Sequence, residues 1–184
     1  MKLANISSKF RADLIVKTYL EWINPKDRVL DVGCGNGVVT AYLAHRFKVK
    51  IYGCDIENYL IKKINFTQMT DEYVLPFKSN SFDVIMLNDV LHHLPKNKQY
   101  LILKESKRVG KKVLLFEVYP NLIGKYYDFV INKIHNPNMR IPWSFRDVHG
   151  WEQLFKKNRL KSETVVVPRP LLYPVQHLAF KLER

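Results

Sequence analysis

Arg28-Val29-Leu30-Asp31-Val32-Gly33-Cys34-Gly35-Asn36-Gly37 decides how the rest of this 184-residue chain is read. Val29, Leu30 and Val32 read as a short buried strand. Three glycines on alternate positions break it, and Val38-Val39-Thr40-Ala41-Tyr42-Leu43-Ala44 follows with helical spacing. A strand that turns over glycines into a helix leaves a crevice floored by bare backbone. A Cβ there would hold a ligand off the chain, and the helix start adds N–H donors without intrahelical partners. The dinucleotide pattern G-x-G-x-x-G does not fit, because the third glycine, Gly37, comes one position early and Val38 takes its place. No G-K-[ST] follows, which excludes a P-loop.

Outward from this turn, Val49-Lys50-Ile51-Tyr52-Gly53-Cys54-Asp55 reads as a second strand ending in an acid. Asp55 lies about 20 residues past the glycines, the offset at which a carboxylate meets a ribose hydroxyl pair in such units. Its acceptors suit two hydroxyl donors at once. Asp71-Glu72-Tyr73-Val74-Leu75-Pro76-Phe77 comes next, then Ser81-Phe82-Asp83-Val84-Ile85-Met86-Leu87-Asn88, an apolar run expected for a central parallel strand. With D-x-G-x-G-x-G first, Asp55 second, and an acid, Leu-Pro-Phe and Phe-Asp third, the chain resembles the class I S-adenosylmethionine-dependent methyltransferases.

That resemblance implies a Rossmann-like α/β fold. Its seven-stranded, mostly parallel sheet has the order 3-2-1-4-5-7-6, with the last strand antiparallel and helices on both faces. It implies S-adenosylmethionine as cofactor, leaving as S-adenosylhomocysteine. Asp31 would orient the turn and the cofactor's methionine end, with Gly33, Cys34, Gly35 and Gly37 beneath it. Asp55 and Ile56 would meet the ribose, Asp71 and Glu72 the adenine side, and Asn88 the methionine portion again.

Length and composition set the frame. A single domain over 1–184 is the natural reading, and 47% hydrophobic residues suffice for one core. No apolar run reaches the ~20 residues of a membrane span, and residues 1–6 lack a segment of signal-peptide length, so a cytoplasmic protein is expected. Cys34 and Cys54 are the only cysteines, too few for a zinc site of their own, and no metal is expected from them. The net charge of +13 pulls toward nucleic acid or anionic membranes. Most of the excess is lysine, spread along the chain, with denser clusters at 104–112 and 156–161.

The remaining stretches concern the methyl acceptor. An amphipathic helix is expected at about 8–23, ended by Asn24-Pro25, and another from Glu57 to Ile64 before a short strand at 66–69. Asp89-Val90-Leu91-His92-His93-Leu94-Pro95 follows the fourth strand and should face the crevice at the strands' carboxyl ends. His93 is the candidate general base, an imidazole suited to removing a proton near pH 7, with Asp89 beside it. A helix over Lys96–Val109, stopped by Gly110, leads into a fifth strand from Lys112 to Val118. An insertion over about 119–146 is read as the acceptor side. There Asp128 and Asn132 lie one turn apart on one helix face, with Tyr126 nearby, and these three with His92 are the acceptor candidates. A last helix over 148–158 and a closing hairpin, 162–167 and 176–182, complete the chain.

The function expected is methyl transfer by in-line displacement to a small or lipid-like acceptor, from the aromatic insertion and the apolar loop at 168–174. An RNA acceptor is the alternative that the charge supports. Against methylation of base amino groups, Asn88-Asp89-Val90-Leu91 stands where such enzymes carry Asn/Asp-Pro-Pro-Tyr. A cofactor-binding protein without catalysis is the third reading.

Overall fold

The structure is a computed structural model that describes residues 2–135, 142–170 and 173–183, with side chains of 2–7 and of His135 excepted. A seven-stranded sheet runs in the order β3-β2-β1-β4-β5-β7-β6. Strand β1 (Arg28–Val32) pairs in parallel with β2 (Lys50–Asp55) and β4 (Phe82–Asn88). Strand β3 (Asn65–Gln68) extends this parallel set beyond β2, and β5 (Gly110–Val118) extends it beyond β4. Strand β7 (His177–Glu183) is antiparallel to both β5 and β6 (Lys161–Val167). The order in which strands are added to the sheet therefore reverses between the parallel neighbours β1 and β4, and the crevice opens where these two strands end.

Alternation along the central strands divides the core in two. Val84 and Met86 of β4, with Leu114 and Phe116 of β5, face α1 (Lys2–Tyr19) and α2 (Val38–Phe47). Ile85, Leu87, Val113 and Leu115 face α3 (Gln99–Val109) and α5 (Val148–Lys157), whose Trp151 and Phe155 are fully buried. Between β5 and α5 runs α4 (Leu122–His135). The Asp147 carboxylate caps α5 by accepting from the Gly150 N–H at 2.7 Å, satisfying one of the donors a helix start leaves over.

Several boundaries differ from the sequence reading. Helix α1 ends at Tyr19 rather than Ile23, and α3 starts at Gln99 after a single 3-10 turn at Leu91–His93. Helix α3 ends at Val109 with Gly110 as its cap, as read, but the cap is extended at φ −121° and Gly110 is also the first residue of β5. No helix forms over 57–64. Residues 56–64 are all that join β2 to β3, whereas a parallel crossover ordinarily takes a dozen or more. An eight-residue helix would leave almost nothing for the two turns that bring the chain back beside β2. The segment instead runs as a loop, tied to the glycine turn by the Ile61 and Lys62 N–H groups, which donate to the Asn36 carbonyl at 2.9 and 3.1 Å. Of the irregular stretches read as acceptor walls, 136–141 and 171–172 lie outside the described residues.

Candidate active site

The chain leaves β1 at Val32 and crosses three glycines with positive φ, 72° at Gly33, 55° at Gly35 and 75° at Gly37, before α2 begins. Gly33 N–H and Cys34 N–H donate to the Cys54 carbonyl, fastening the turn to the end of β2. Gly35 N–H donates to Asp55 Oδ2 at 2.8 Å. A Cβ built on Gly35 would meet nothing closer than Tyr59 at 4.0 Å, so its backbone lies open to the space above. At Gly37 a Cβ would fall 2.8 Å from the Lys62 carbonyl oxygen, which is backbone and cannot give way cheaply.

Beneath the turn, Asp31 is buried, with a donor on each oxygen. Thr40 Oγ1 of α2 donates to its Oδ2 at 2.6 Å, and Asn88 Nδ2 of β4 donates to its Oδ1 at 3.2 Å. Tyr19 O–H of α1 then donates to Asn88 Oδ1 at 3.1 Å. Four elements are thus tied at one carboxylate. Burial pushes its pKa up to about 6, against the opposing hydrogen bonds from Thr40 and Asn88. Asp31 and Gly37 build the floor from behind and are not among the residues that line the cleft.

Above this floor lies a cleft of about 1020 Å³. Gly33, Cys34, Gly35, Asp55, Ile56 and Glu72 line one end, with Asn88 at the middle. Asp55 Oδ2 accepts from Gly35 and Oδ1 from Ile56 at 2.8 Å, and the Glu57 N–H also bears on the carboxylate, which leaves some acceptor capacity for a further donor. Burial raises its pKa, opposed by those backbone N–H groups. Asp71 sits elsewhere: it is exposed, accepts from the Tyr73 N–H at 2.6 Å and does not line the cleft, whereas Glu72 does. Both cysteines are free and buried.

The other end is built by residues remote in sequence. Asp89, His93, Asp128 and Asn132 line it, as expected, and Tyr127 and Tyr173 close it with aromatic rings. Asp89 sits at φ 57°. Arg11 of α1 donates to its Oδ2 at 3.1 Å, and His177 Nε2 of β7 lies 3.5 Å from its Oδ1. Burial opposes the Asp89 charge, but His177 and Arg11 outweigh it and hold the carboxyl well below the usual range.

Two acceptor candidates fall outside the cleft. Tyr126 is 69% exposed, because the helical turn of α4 aims its neighbour Tyr127 inward instead. His92 is wholly buried under the 3-10 turn. Its Nδ1 is 2.7 Å from Glu117 Oε2, its Nε2 is 3.3 Å from Asp128 Oδ1, and Phe145 stacks on its ring at 4.7 Å. Burial opposes the charged ring, but Glu117 and Asp128 prevail and lift its pKa to about 10. His93 lines the cleft but is not poised near pH 7. Burial, and then the charge of His92, pull its pKa down to about 3.

Glu117 was not foreseen. Its Oε1 accepts from the Val90 and Leu91 N–H groups at 3.1 and 2.7 Å, so one buried carboxylate shapes the whole turn after β4. The available signal was an acid inside the apolar run Val-Leu-Leu-Phe-Glu-Val, since a charge there must find partners. Arg11 and His177 carried no local signal, and Tyr173 carried only its place in the apolar loop at 168–174.

Strand order, glycine turn, Asp55 at the end of β2 and the cleft across β1 and β4 together define a nucleoside-cofactor methyltransferase architecture. The fold resembles that of the class I S-adenosylmethionine-dependent methyltransferases, and a family model covers just under half of the chain. Residues 30–114 match the family model described as "Methyltransferase domain". Among curated proteins, the chain is 28% identical over 95 residues to 27-O-demethylrifamycin SV methyltransferase of Amycolatopsis mediterranei, which covers 45% of this chain and 34% of that one. It is 31% identical over 99 residues to the Mus musculus protein named "Probable tRNA methyltransferase 9B", covering 51% and 22%. The chain thus spans about a third or less of the length of these two relatives. Among solved structures, magnesium protoporphyrin IX methyltransferase of Synechocystis PCC 6803, with bound SAH, superposes with a TM-score of 0.68 at 17% identity. That match covers 97% of this chain and 84% of that one.

Proposed function

We propose that the chain forms a single methyltransferase domain that transfers a methyl group from S-adenosylmethionine to a small or lipid-like acceptor. The observation that carries this reading is the open backbone of Gly35 beside the Asp55 carboxylate, at one end of a cleft whose other end holds His93 and Asp128. A side chain at Gly35 would occupy that space, and Asp55 has acceptor capacity left over. The residues present therefore fit the cofactor. Gly33, Cys34 and Gly35 would lie under its methionine portion, Asp55 and Ile56 beside its ribose, and Glu72 toward its adenine. When bound, S-adenosylmethionine supplies an activated methyl group on a sulfonium.

The chain's own residues then bind, align and exclude water. Asn88 and Asp31 hold the floor still. Asp128 and Asn132 offer hydrogen-bonding groups to an acceptor, while Tyr127, Ile131, Tyr173 and Val175 give it an apolar seat. His93, neutral at physiological pH, acts as a hydrogen-bonding group that orients the acceptor rather than as a strong base.

An RNA acceptor is the second reading, favoured by the charge of +13 and by the name of the second relative above. The protein is read as cytoplasmic; no described helix is long and apolar enough to cross a membrane. Calorimetry with S-adenosylmethionine and S-adenosylhomocysteine tests the cofactor, and labelled-methyl transfer to a panel of small molecules, lipids and total RNA tests the acceptor. Saturable binding with transfer to a small molecule supports the proposal. Transfer to RNA alone, with affinity falling steeply in salt, moves it to the second reading. Binding without transfer to any class leaves a cofactor-binding protein, and no binding at millimolar cofactor removes the proposal.

A further inference from the structure

The acceptor end contains buried polar atoms whose hydrogen-bonding capacity the protein itself leaves unused. His93 Nδ1 and Asp128 Oδ2 are buried without a hydrogen-bond partner, and His92 Nε2 meets only Asp128 Oδ1, at 3.3 Å. Unused buried polar atoms cost free energy one by one, and two on neighbouring residues beside a third, weakly held one call for a common explanation. One nitrogen or oxygen from each of the three residues lies within 4.8 Å of the others. Two imidazoles and a carboxylate held this close are the donor set of a borderline divalent ion.

We propose that His92, His93 and Asp128 bind one divalent transition-metal ion at the acceptor end of the cleft. The supporting contacts match what such a site needs. Glu117 Oε2 takes the Nδ1 side of His92 at 2.7 Å, which leaves Nε2 as the nitrogen available to a ligand. A carboxylate behind a ligating imidazole orients the ring and raises its donor strength. Asn132 Nδ2 donates to Asp128 Oδ1 at 2.9 Å, which fixes that carboxylate and leaves Oδ2 over. Phe145 stacked on His92 and the neighbouring His93 ring restrict the rotations that would disperse the set. Zinc-type ions hold nitrogen and oxygen at about 2.0–2.2 Å, so donors up to 4.8 Å apart must draw together by side-chain rotation to share one ion. His93 and Asp128 line the cleft, so the open coordination positions face the acceptor.

Without an ion, the same contacts would be met by an imidazolium at His92 bridging Glu117 and Asp128, and the test separates the two. Untagged protein freed of metal by chelation is titrated with Zn²⁺ alone by calorimetry and with Co²⁺ alone by visible absorption. One equivalent should bind in the micromolar range or tighter, with the d–d bands of a low-coordinate Co²⁺ site. His93→Gln and Asp128→Asn should each weaken it at least tenfold. Melting temperature and S-adenosylhomocysteine affinity, measured on the same samples, report folding and the cofactor end independently, so failure of the metal site is distinguishable from failure of the methyltransferase reading. Absence of Co²⁺ bands, equal Zn²⁺ affinity in the folded variants, or ¹⁵N spectra showing both His92 nitrogens protonated in 1 mM Zn²⁺ would each overturn the proposal.

Discussion

Asp55 and Asp31 are both carboxylates near the glycine turn, yet their surroundings give them opposite work. Asp55 spends part of its acceptor capacity on backbone N–H groups and presents the rest to the cleft. Asp55→Ala should weaken binding of S-adenosylhomocysteine by about 1–3 kcal/mol, the worth of hydrogen bonds lost to a charged group; unchanged affinity by calorimetry would place the ribose elsewhere. Asp31 presents none of its capacity to the cleft, being buried beneath the turn with Thr40 and Asn88 on its two oxygens. With its pKa near 6 in the folded chain against 3.8 ordinarily, it binds a proton more readily folded than unfolded. Its contribution to stability is complete below pH 4 and is lost as pH rises toward 6, by about 3 kcal/mol at 1.36 kcal/mol per unit. Denaturant unfolding of wild type and Asp31→Asn at pH 4 and pH 7 checks this. The variant should gain on the wild type by that order between the two pH values, and a constant difference would show Asp31 to titrate normally. Asp31, Asp55 and the glycines were legible because they lie on one local strand–turn–strand pattern. Which of Asp71 and Glu72, or of Tyr126 and Tyr127, turns inward was not, because one residue of rotation decides it.

Among the elements, the loop over 56–64 departs furthest from the sequence reading. Its residues have helical character, but nine positions between β2 and β3 leave no room for a helix and two turns. Loop length overrode local preference, and the chain found its hydrogen bonds on Asn36 instead. The loop also makes Gly37 intolerant of change. With φ 75° and the Lys62 carbonyl where a Cβ would sit, Gly37→Ala should cost about 1–3 kcal/mol through backbone strain and displacement of the loop. A melting temperature within a degree of wild type would show the loop yields freely. The 3-10 turn at Leu91–His93 was similarly hidden: its partner, Glu117, sits on β5, 25 residues away from His92.

For the molecule as a whole, strand order and direction are those that the family resemblance implied, and the strands β1, β2 and β4 were legible as apolar runs followed by a glycine or an acid. The acceptor end was far less legible. Arg11, Asp128, Tyr173 and His177 come from α1, α4, the 168–174 loop and β7, and only the closed fold brings them to one place. Burial also predicts how rigidity is distributed. Strands β4 and β5 are buried on both faces, whereas β3 is an edge strand with mostly exposed side chains. Hydrogen exchange should be slowest at 84–87 and 113–116 and fastest within the sheet at 65–68; equal protection at β3 would mean that edge is covered in solution. The chain of contacts from Tyr19 through Asn88 and Asp31 to Thr40 crosses that rigid centre. A valine at position 40 would strand one oxygen of Asp31, and an aspartate at 88 would set two carboxylates face to face. Changes at these four sites must therefore be inherited together or not at all, so the floor can drift in sequence only by paired replacement.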